Sequence, residues 1–467
     1  MGNNACEKSL FKDLSEDDLI QLIGVETEDV IGGAFPRKRV VHPGIKGKMI
    51  PMPEYATRWA DTMRSLGEPG KRTAYIHIPF CQSRCLYCGF FQNFSESEME
   101  SRYVDRLIAE LASNARTRYG IAYPLHAVYF GGGTPSVLSA RNIQRLLRAV
   151  RKYLPLANDC EITFEARIHN FDDEKINACL ENGVNRFSFG VQSFDTEVRR
   201  SVGRLDDGET VLRRLDELHA RDQAAMVVDL IYGLPFQSMD VWRKDLQTLL
   251  NAGIDGVDLY KLNVYDNSLL KKAIEEKILP AGSDLPGQGK MFAEGKGFME
   301  SNHFRRLSIC HWGRNGRERN LYNSLNKGGA TVLPFGAGAG GNLDGLVVSL
   351  ERDMQRYLQR VDNHEKPIQF MMSPHRDFRL HAFVVGQIES GYLNTQQLTR
   401  QFGVQTDSVD AAFDIWCQRG LANRIMHGFQ LSLAGQFWYV NITQSVLELL
   451  ATDEGGKTNL DQSLMAY

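Results

Sequence analysis

The sequence predicts an α/β fold in which six strand–helix units form a partial barrel. Between residues 73 and 262, short runs rich in β-branched and aromatic residues alternate six times with amphipathic helical stretches. Consecutive strands joined by helices must run parallel, with the helices outside the sheet. Six units are fewer than the eight of a closed barrel, so we expect an incomplete (β/α)6 barrel.

The predicted barrel elements follow one another in order. The strands are Thr73 to Ile78, His126 to Phe130, Cys160 to Ala166, Arg186 to Val191, Ala225 to Ile231 and Gly256 to Leu262. Ser95 with Glu98 predicts a capping box for the first helix, and the helix after the third strand ends before Gly183. Other helices are expected to begin near Ser139, Asp172, Asp207 and Met239.

We divide the chain into four parts: an N-terminal extension (1–70), the partial barrel (71–280), a Gly- and Arg-rich segment that completes the core with loops around the site (281–373), and a C-terminal cap (374–467). In the extension, Ser15 caps a short helix and residues Pro53 to Leu66 form another. The basic stretch from Arg37 to Lys48 is broken by Pro43 and Gly44, which predicts a loop. It is either a solvated connector or a contact for an anionic ligand.

The C-terminal part is predicted to be helical and winged-helix-like. Its elements are helices His375 to Ile388, Asn394 to Phe402 and Asp407 to Arg419, and a hairpin from Asn423 to Leu433. DNA binding is the alternative to a structural cap. The third helix carries Asp407, Asp410 and Asp414 against a single Arg419, so it lacks attraction for phosphates.

The composition is that of a soluble globular protein, with 43% hydrophobic residues among 467. A net charge of −3 gives no global argument for a nucleic-acid partner. No apolar run is long enough to span a bilayer and the first 22 residues are too polar for a signal peptide, so we expect a cytoplasmic protein without a membrane partner. We also expect a monomer. Five of the eight cysteines are scattered and are expected to be reduced thiols: Cys6, Cys160, Cys179, Cys310 and Cys417.

The other three cysteines, Cys81, Cys85 and Cys88, lie within eight residues directly after the first strand. Three thiolates on a cluster of four irons leave one iron without a protein ligand, where a substrate can bind. Pro79 and Gly89 predict a turning loop in which the sulfurs converge. The alternatives are a zinc site closed by His77 and three buried structural cysteines.

Polar residues and glycines also follow the other strands, and the carboxyl ends of parallel strands meet at one rim, where ligands bind. Glycines allow close approach of backbone amides to a ligand, whereas carboxylates and amides suit ribose hydroxyls and ammonium groups. The strand-end residues are Gly131 to Thr134, Glu165, Gln192, Asp229 and Asn263.

The run Y-I-H-I-P-F-C-x3-C-x-Y-C-G-F resembles the radical S-adenosylmethionine (SAM) superfamily, in its HemN-like branch of oxygen-independent coproporphyrinogen oxidases. The resemblance implies a 4Fe–4S cluster on the three cysteines, reductive cleavage of SAM, two SAM molecules and a C-terminal domain that covers the porphyrin. It implies catalytic roles for these cysteines, Gln192 and Arg204. The implied SAM contacts are Tyr75, Tyr87, Gly132, Gly133, Thr134, Glu165, Gln192, Arg204, Asp229 and Asn263.

Two positions depart from that branch: Ala-Arg-Ile follows Glu165 where Asn-Pro is usual, and Phe236 stands where Gly is usual. These changes put decarboxylation of propionates in doubt. The segment from Ser308 to Asn320, C-H-W-x-R-x2-R-E-R-N with flanking residues, and the glycines between Gly336 and Gly341 together resemble the ChuW/HutW type of anaerobic haem-degrading radical SAM methyltransferases.

That likeness implies haem as substrate and an anaerobilin-like linear tetrapyrrole as product, with methylation, opening of a meso bridge, release of iron and a flavodoxin-like or flavin-dependent electron donor. The expected haem contacts are Arg314, Arg317 and Arg319 on the propionates, with Cys310 or His311 near the iron. The alternative for this segment is a solvated basic loop with a core histidine. Alternative functions are coproporphyrinogen decarboxylation and haem delivery by a chaperone.

Overall fold

The computed structural model describes residue 11, residues 14–39 and residues 47–452, which fall into two compact units. One unit comprises Gly47–Gly282 and Phe298–Arg376; the other comprises the described residues up to 39, Ser283–Gly297 and residues 377–452. The predicted basic loop around Pro43 and Gly44 lies outside the described residues. Within the described ranges, no helix has the length and apolar character to cross a membrane.

The larger unit is built on a sheet of twelve strands, labelled here in chain order. They are β1 (Arg72–Ile78), β2 (Leu125–Gly132), β3 (Leu156–Ala166), β4 (Arg186–Gln192), β5 (Ala225–Tyr232), β6 (Gly256–Lys261), β7 (Arg305–Arg306), β8 (His311–Gly313), β9 (Thr331–Phe335), β10 (Gly340–Leu343), β11 (Leu346–Leu350) and β12 (Ile368–Met372). The first six are the six predicted strands, and each pairs in parallel with the next. The predicted βα-repeat architecture is confirmed.

The sheet extends at both edges beyond the six predicted strands. Strand β9 pairs in parallel with β1, and β10, β11 and β12 continue it with antiparallel pairing. At the opposite edge β8 runs antiparallel to β6, followed by β7. The segment 281–373, for which we expect Gly- and Arg-rich loops, therefore also adds strands to the sheet.

Proline explains why β9 was not predicted. Pro334 lies inside the strand, opposite Tyr75 of β1, and a proline usually argues against an interior strand because it has no N–H to donate. The structure accommodates it because β9 and β10 form a single bridge, between Val332 and Asn342. The strand is buried throughout.

Helices surround this sheet, and several begin at or next to predicted residues. Ser139, Asp172, Asp207 and Ser238 each accept a bond from a backbone N–H of the first turn, as helix caps do. The bounds of the helices are Met52–Glu54 and Pro135–Val137 (both 3-10), Tyr55–Arg64, Ser97–Asn114, Arg118–Ile121, Ala140–Tyr153, Asp173–Leu180, Thr196–Ser201, Gly208–His219, Met239–Asn251, Leu269–Glu275, Leu321–Lys327 and Met354–Asp362. A further helix, Leu285–Ser301, lies mostly in the second unit.

One predicted cap is wrong. The helix Ser97–Asn114 has Glu96 at its N-cap position, without a side-chain cap bond. Ser95 instead donates its hydroxyl hydrogen bond to the carboxylate of Glu100, so it stabilises the first turn from one residue further out.

In the second unit, Ser15 caps the helix Glu16–Ile23 as predicted. The three predicted C-terminal helices are Phe378–Glu389, Thr395–Phe402 and Asp407–Gln418, and the hairpin pairs Ala422–Ile425 with Gly428–Leu431. Strand Tyr392–Leu393 pairs with Gly428–Leu431 to give a small antiparallel sheet, as in a winged-helix arrangement. The remaining helices are Val30–Gly33, Leu433–Phe437 and Tyr439–Thr452.

Candidate active site at the strand ends

The three-cysteine loop leaves β1 and turns directly at its carboxyl end. Cys81 lies on a two-residue strand, Phe80–Cys81, that pairs with Asn93–Phe94, and the Cys88 N–H donates to the Cys85 carbonyl at 3.2 Å. Cys81 and Cys85 are each 2% exposed, Cys88 is partly exposed, and none forms a disulfide. The loop is thus compact, with its thiols reduced.

These thiols fit an iron–sulfur cluster. Burial raises the pKa of Cys81, and the nearby Cys88 and Cys85 thiols raise it further, while Thr134 and Arg167 lower it. The three sulfurs therefore share one neighbourhood. Across 11, 14–39 and 47–452, no three His, Cys, Asp or Glu side chains are placed to hold a single metal ion, but each thiolate of a cluster ligates a different iron, so the sulfurs need not meet at one point.

The zinc alternative is not supported by the geometry of His77. One ring nitrogen of His77 lies 3.2 Å from the Tyr75 hydroxyl and the other lies 3.2 Å from the Gln92 amide. Burial, with a smaller effect from Arg352, lowers the pKa of His77 to about 4. The neutral ring is therefore held by the protein rather than joined to the cysteines.

The glycine-rich turn after β2 is packed against the cysteine loop. The N–H groups of Gly133 and Thr134 donate to the Ile78 and Phe80 carbonyls, each at 2.8 Å. A Cβ on Gly133 would lie 2.5 Å from the Phe80 oxygen, closer than any real contact. These amides are committed to the protein, so the reason for glycine at position 133 is close packing rather than an amide directed at a ligand.

Glu165 ends β3 inside the barrel, where its carboxylate accepts the Tyr129 hydroxyl hydrogen bond at 2.6 Å. Burial raises the pKa of Glu165, while bonds from Tyr129 and the Gly132 N–H lower it. The Tyr129 ring packs against those of Tyr75 and Tyr322, at centroid distances of 6.3 and 4.7 Å, and the latter two rings are 6.2 Å apart. The Glu165 carboxylate is therefore held by a hydroxyl that belongs to a cluster of three tyrosine rings.

Arg204 and Gln192 form a second polar pair at the rim. The Arg204 guanidinium donates to the Gly190 carbonyl at 2.6 Å and to the Gln192 side chain. Gln192 adopts φ 67°, a left-handed conformation that is uncommon outside glycine and recurs at functional sites. Arg204 is 7% exposed, and its Nε has no hydrogen-bond partner among the described residues. Burial lowers the Arg204 pKa, but Tyr87 and Cys85 outweigh it and raise the pKa.

The remaining predicted SAM contacts lie on the same side of the sheet. Asp229 of β5 accepts a bond from Ser188 at 3.5 Å, and burial, followed by Asp258 and Glu165, raises its pKa well above the usual range. Burial also raises the pKa of Tyr87, whose hydroxyl bonds to Arg204. Asn263 follows directly after β6 and is partly exposed.

A cleft beside the cysteine loop joins several of these groups. Its walls include Thr134, Gly190 and Arg204 from the predicted set, together with Arg167. A buried guanidinium with an unpartnered nitrogen suits the carboxylate of an amino acid. The residues present therefore fit SAM beside a cluster, with Arg204 close enough to the Cys85 thiol to interact with it electrostatically.

His311 belongs to a buried charge network at the edge of the barrel. Its Nδ1 lies 2.8 Å from Asp258, a close ion pair without full hydrogen-bond geometry, and its Nε2 lies 3.1 Å from Glu318. Glu318 also pairs with Arg186 at 2.9 Å. Burial lowers the pKa of His311, but Asp258 and Glu318 outweigh it and raise the pKa to about 9. This is the core histidine of the alternative interpretation, 1% exposed.

The three arginines of the same segment do not reach the rim. Because β8 runs antiparallel to β6, residues after Gly313 leave the sheet beyond the amino end of β6. Arg314 donates to the Leu250 carbonyl, Arg317 to Ala224 and Arg319 to Asp159, at 3.0, 3.1 and 3.0 Å. All three are exposed at the amino ends of strands, away from the cysteine loop, as in the solvated basic loop of the alternative.

Cys310 is the exception in this segment. Its carbonyl accepts the Leu259 N–H at 2.9 Å, and its sulfur lies 3.8 Å from Asp258. Since it precedes β8, it lies nearer the carboxyl ends of the strands than the arginines and is partly exposed.

Three residues of the site were not predicted as contacts: His77, Tyr129 and Arg167. Strand periodicity carries a signal for the first two, because side chains two apart share a face. His77 follows Tyr75 by two residues and Tyr129 precedes Gly131 by two. Arg167 bonds to Ser83 of the cysteine loop, and its only signal is the departure from Asn-Pro after Glu165.

Comparison with known proteins agrees with this geometry. The pattern of the radical SAM superfamily matches residues 75–249. Anaerobilin synthase of Escherichia coli O157:H7 is 38% identical over 417 residues, which cover 89% of this chain and 93% of that protein. The haem chaperone HemW of Lactococcus lactis is 28% identical over 324 residues, covering 69% and 83%.

Among solved structures, coproporphyrinogen III oxidase (HemN) of Escherichia coli superposes with a TM-score of 0.73, covering 86% of this chain and 96% of that one at 20% sequence identity. This likeness shows the fold alone. The fold, the thiol loop and the identity over nearly the whole length together show that the chain belongs to the anaerobilin synthase family of the radical SAM superfamily.

Proposed function

We propose that this protein degrades haem without oxygen. A methyl group from SAM is transferred to the tetrapyrrole and a meso bridge opens, which gives a linear, anaerobilin-like product and free iron. The observation that carries the proposal is the 38% identity to anaerobilin synthase over 89% of the chain. The convergence of the thiol loop, Glu165 and Arg204 at one rim supports it.

The proposed cofactors are a 4Fe–4S cluster on Cys81, Cys85 and Cys88, and two molecules of SAM. When bound, such a cluster supplies an open iron and the single electron that reductive cleavage of SAM requires. The protein holds the three thiolates in one loop, and the glycine turn after β2 packs against that loop and fixes its position. Burial of two of the thiols excludes water from the cluster side.

The rim residues are proposed to bind and orient SAM. The Arg204 guanidinium, fixed by Gly190 and Gln192, is suited to the SAM carboxylate. Glu165 and Asp229 lie inside the barrel, where burial raises their pKa values, and they are suited to the ribose hydroxyls of SAM. A carboxyl that retains its proton in this site donates a hydrogen bond instead of repelling an electron-rich neighbour.

For haem, we propose contacts at the carboxyl rim, with Cys310 as the candidate from the later segment. The placement of Arg314, Arg317 and Arg319 at the opposite strand ends supports a solvated loop instead of a propionate clamp. The electron donor is proposed to be a flavodoxin-like or flavin-dependent protein, and the enzyme a monomer.

The test is an anaerobic incubation of the cluster-loaded protein with haem, SAM and a strong reductant. The proposal expects loss of the Soret band that depends on SAM. A stable Soret band with haem retained would favour the chaperone alternative. A parallel incubation with coproporphyrinogen separates the third function, for which carbon dioxide would be released.

A further inference from the structure

We propose that Arg167 is a positioning residue that clamps the cysteine loop and, through its charge, sets the reduction potential of the cluster. The proposal rests on the proposed function, since it concerns the cluster of that same site. It assigns a role to a residue that stands where the HemN-like branch carries a different sequence after Glu165.

The first observation is a forked contact. Nη1 of Arg167 donates to both the backbone oxygen and the hydroxyl of Ser83, each at 3.1 Å. Ser83 is the midpoint between Cys81 and Cys85. A single side chain from the end of β3 therefore holds the span that carries the first two thiols.

The second observation is that Arg167 itself is anchored. Its N–H donates to the Ser136 hydroxyl at 3.1 Å, and Ser136 is 2% exposed in the turn after β2. The same loop adds a second tie, because the Asn170 amide donates to Gln82 at 2.9 Å. The loops that follow β1, β2 and β3 are therefore joined around Arg167.

The third observation concerns charge. Arg167 contacts the loop at Ser83 and lines the same cleft as Arg204, so its positive charge lies beside the cysteine loop. Reduction adds one negative charge to a cluster, and a nearby cation stabilises the reduced state. Removing the charge should therefore shift the potential to a more negative value.

The experiment compares Arg167→Gln, which removes the charge, with Arg167→Lys, which keeps the charge but carries its nitrogen on a shorter side chain than the guanidinium Nη1 that reaches Ser83. Arg213→Gln is the matched control, because Arg213 is exposed on the helix Gly208–His219 and pairs with Glu217. The cluster is reconstituted anaerobically in each protein, and its potential is measured by titration followed by electron paramagnetic resonance. A separate experiment measures the rate at which each protein loses its cluster to an iron chelator.

We expect Arg167→Gln to titrate at a more negative potential, with Arg167→Lys and the control close to wild type. Both Arg167 variants should lose the cluster several-fold faster than the control. An unchanged potential in Arg167→Gln, or an equal shift in Arg167→Lys, would overturn the charge role. Wild-type cluster lifetimes in both would overturn the clamp.

If Arg167→Gln takes up no cluster, Arg167→Lys provides the test. The proposal then requires that Arg167→Lys keeps the wild-type potential and loses its cluster faster than wild type. Haem is absent from these measurements. A failure of haem degradation with the expected shift in potential would therefore count against the proposed function alone.

Discussion

The Thr134 hydroxyl lies 3.5 Å from the Cys81 sulfur, so the turn after β2 contacts the first thiol of the loop after β1. The two loops are also joined through backbone, since the N–H groups of Gly133 and Thr134 donate to Ile78 and Phe80. The position of the thiols therefore depends on how closely the glycine turn can approach.

A substitution at Gly133 tests this dependence. In Gly133→Ala, the added Cβ meets the Phe80 oxygen at 2.5 Å, and backbone has little freedom to move aside. We expect less than half of the wild-type iron and sulfide after reconstitution, with the fold retained. Gly316→Ala is the control, since a Cβ there meets nothing within 4 Å. Wild-type cluster content in Gly133→Ala would contradict the packing argument.

Replacing the buried Cys85 tests the cluster assignment most directly. Serine is a poor ligand for iron, so Cys85→Ser should lose SAM cleavage while haem binding stays largely intact. Formation of 5′-deoxyadenosine, measured by chromatography, reports cleavage, and a haem titration reports binding. Cys417→Ser, in the second unit, should leave both unchanged. If Cys85→Ser still made 5′-deoxyadenosine at the wild-type rate, the cluster assignment would fail.

The ion pair between Arg186 and Glu318 predicts a large loss of stability. Both side chains are buried, with 3% and 0% exposed, and removing one partner leaves a charge without compensation. We expect Glu318→Gln to lower the free energy of unfolding by roughly 3 to 5 kcal/mol. Glu217→Gln removes surface ion pairs with Arg213 and Arg214 and should lower the free energy of unfolding much less, because solvent screens exposed charges. Urea unfolding measures both, and equal midpoints would refute the difference.

His311 predicts a pH dependence of stability. Its pKa rises from 6.5 to about 9 on folding, because two carboxylates outweigh the effect of burial. The folded state thus holds a proton that the unfolded chain releases, and this stabilisation is complete below pH 6.5 and lost as the pH rises through 9.

We expect the free energy of unfolding to fall by roughly 3 kcal/mol between pH 6 and pH 10 from this group. Anaerobic urea unfolding at several pH values measures the slope. His311→Gln should be less stable overall but lack this slope. A wild-type slope in the variant would assign the effect to other groups.

The sequence predicted the barrel strands because periodicity and helix caps report directly on local structure. The rim followed from them, since parallel strands place Glu165, Gln192 and Asp229 at one side whatever the packing details. Strand β9 escaped prediction for a physical reason: Pro334 interrupts its pattern, and long-range pairing with β1 nevertheless stabilises it.

The segment from Ser308 to Asn320 shows that composition does not reveal where side chains lie in the folded chain. Arg314, Arg317 and Arg319 form a basic run that suits propionates, but the direction of β8 decides which end of the barrel they occupy. Likewise, nothing near His311 in sequence reveals Asp258, which lies on another strand. Strand direction and cross-strand partners are properties of the folded chain.

The most direct test of the central claim follows the methyl group of SAM. Cluster-loaded protein is incubated anaerobically with haem, reductant and SAM labelled in its methyl carbon, and the tetrapyrrole is isolated and analysed by mass spectrometry. We expect a linear tetrapyrrole that carries the label, with one equivalent of iron released for each molecule of this product. Intact haem without label, recovered while 5′-deoxyadenosine accumulates, would contradict it.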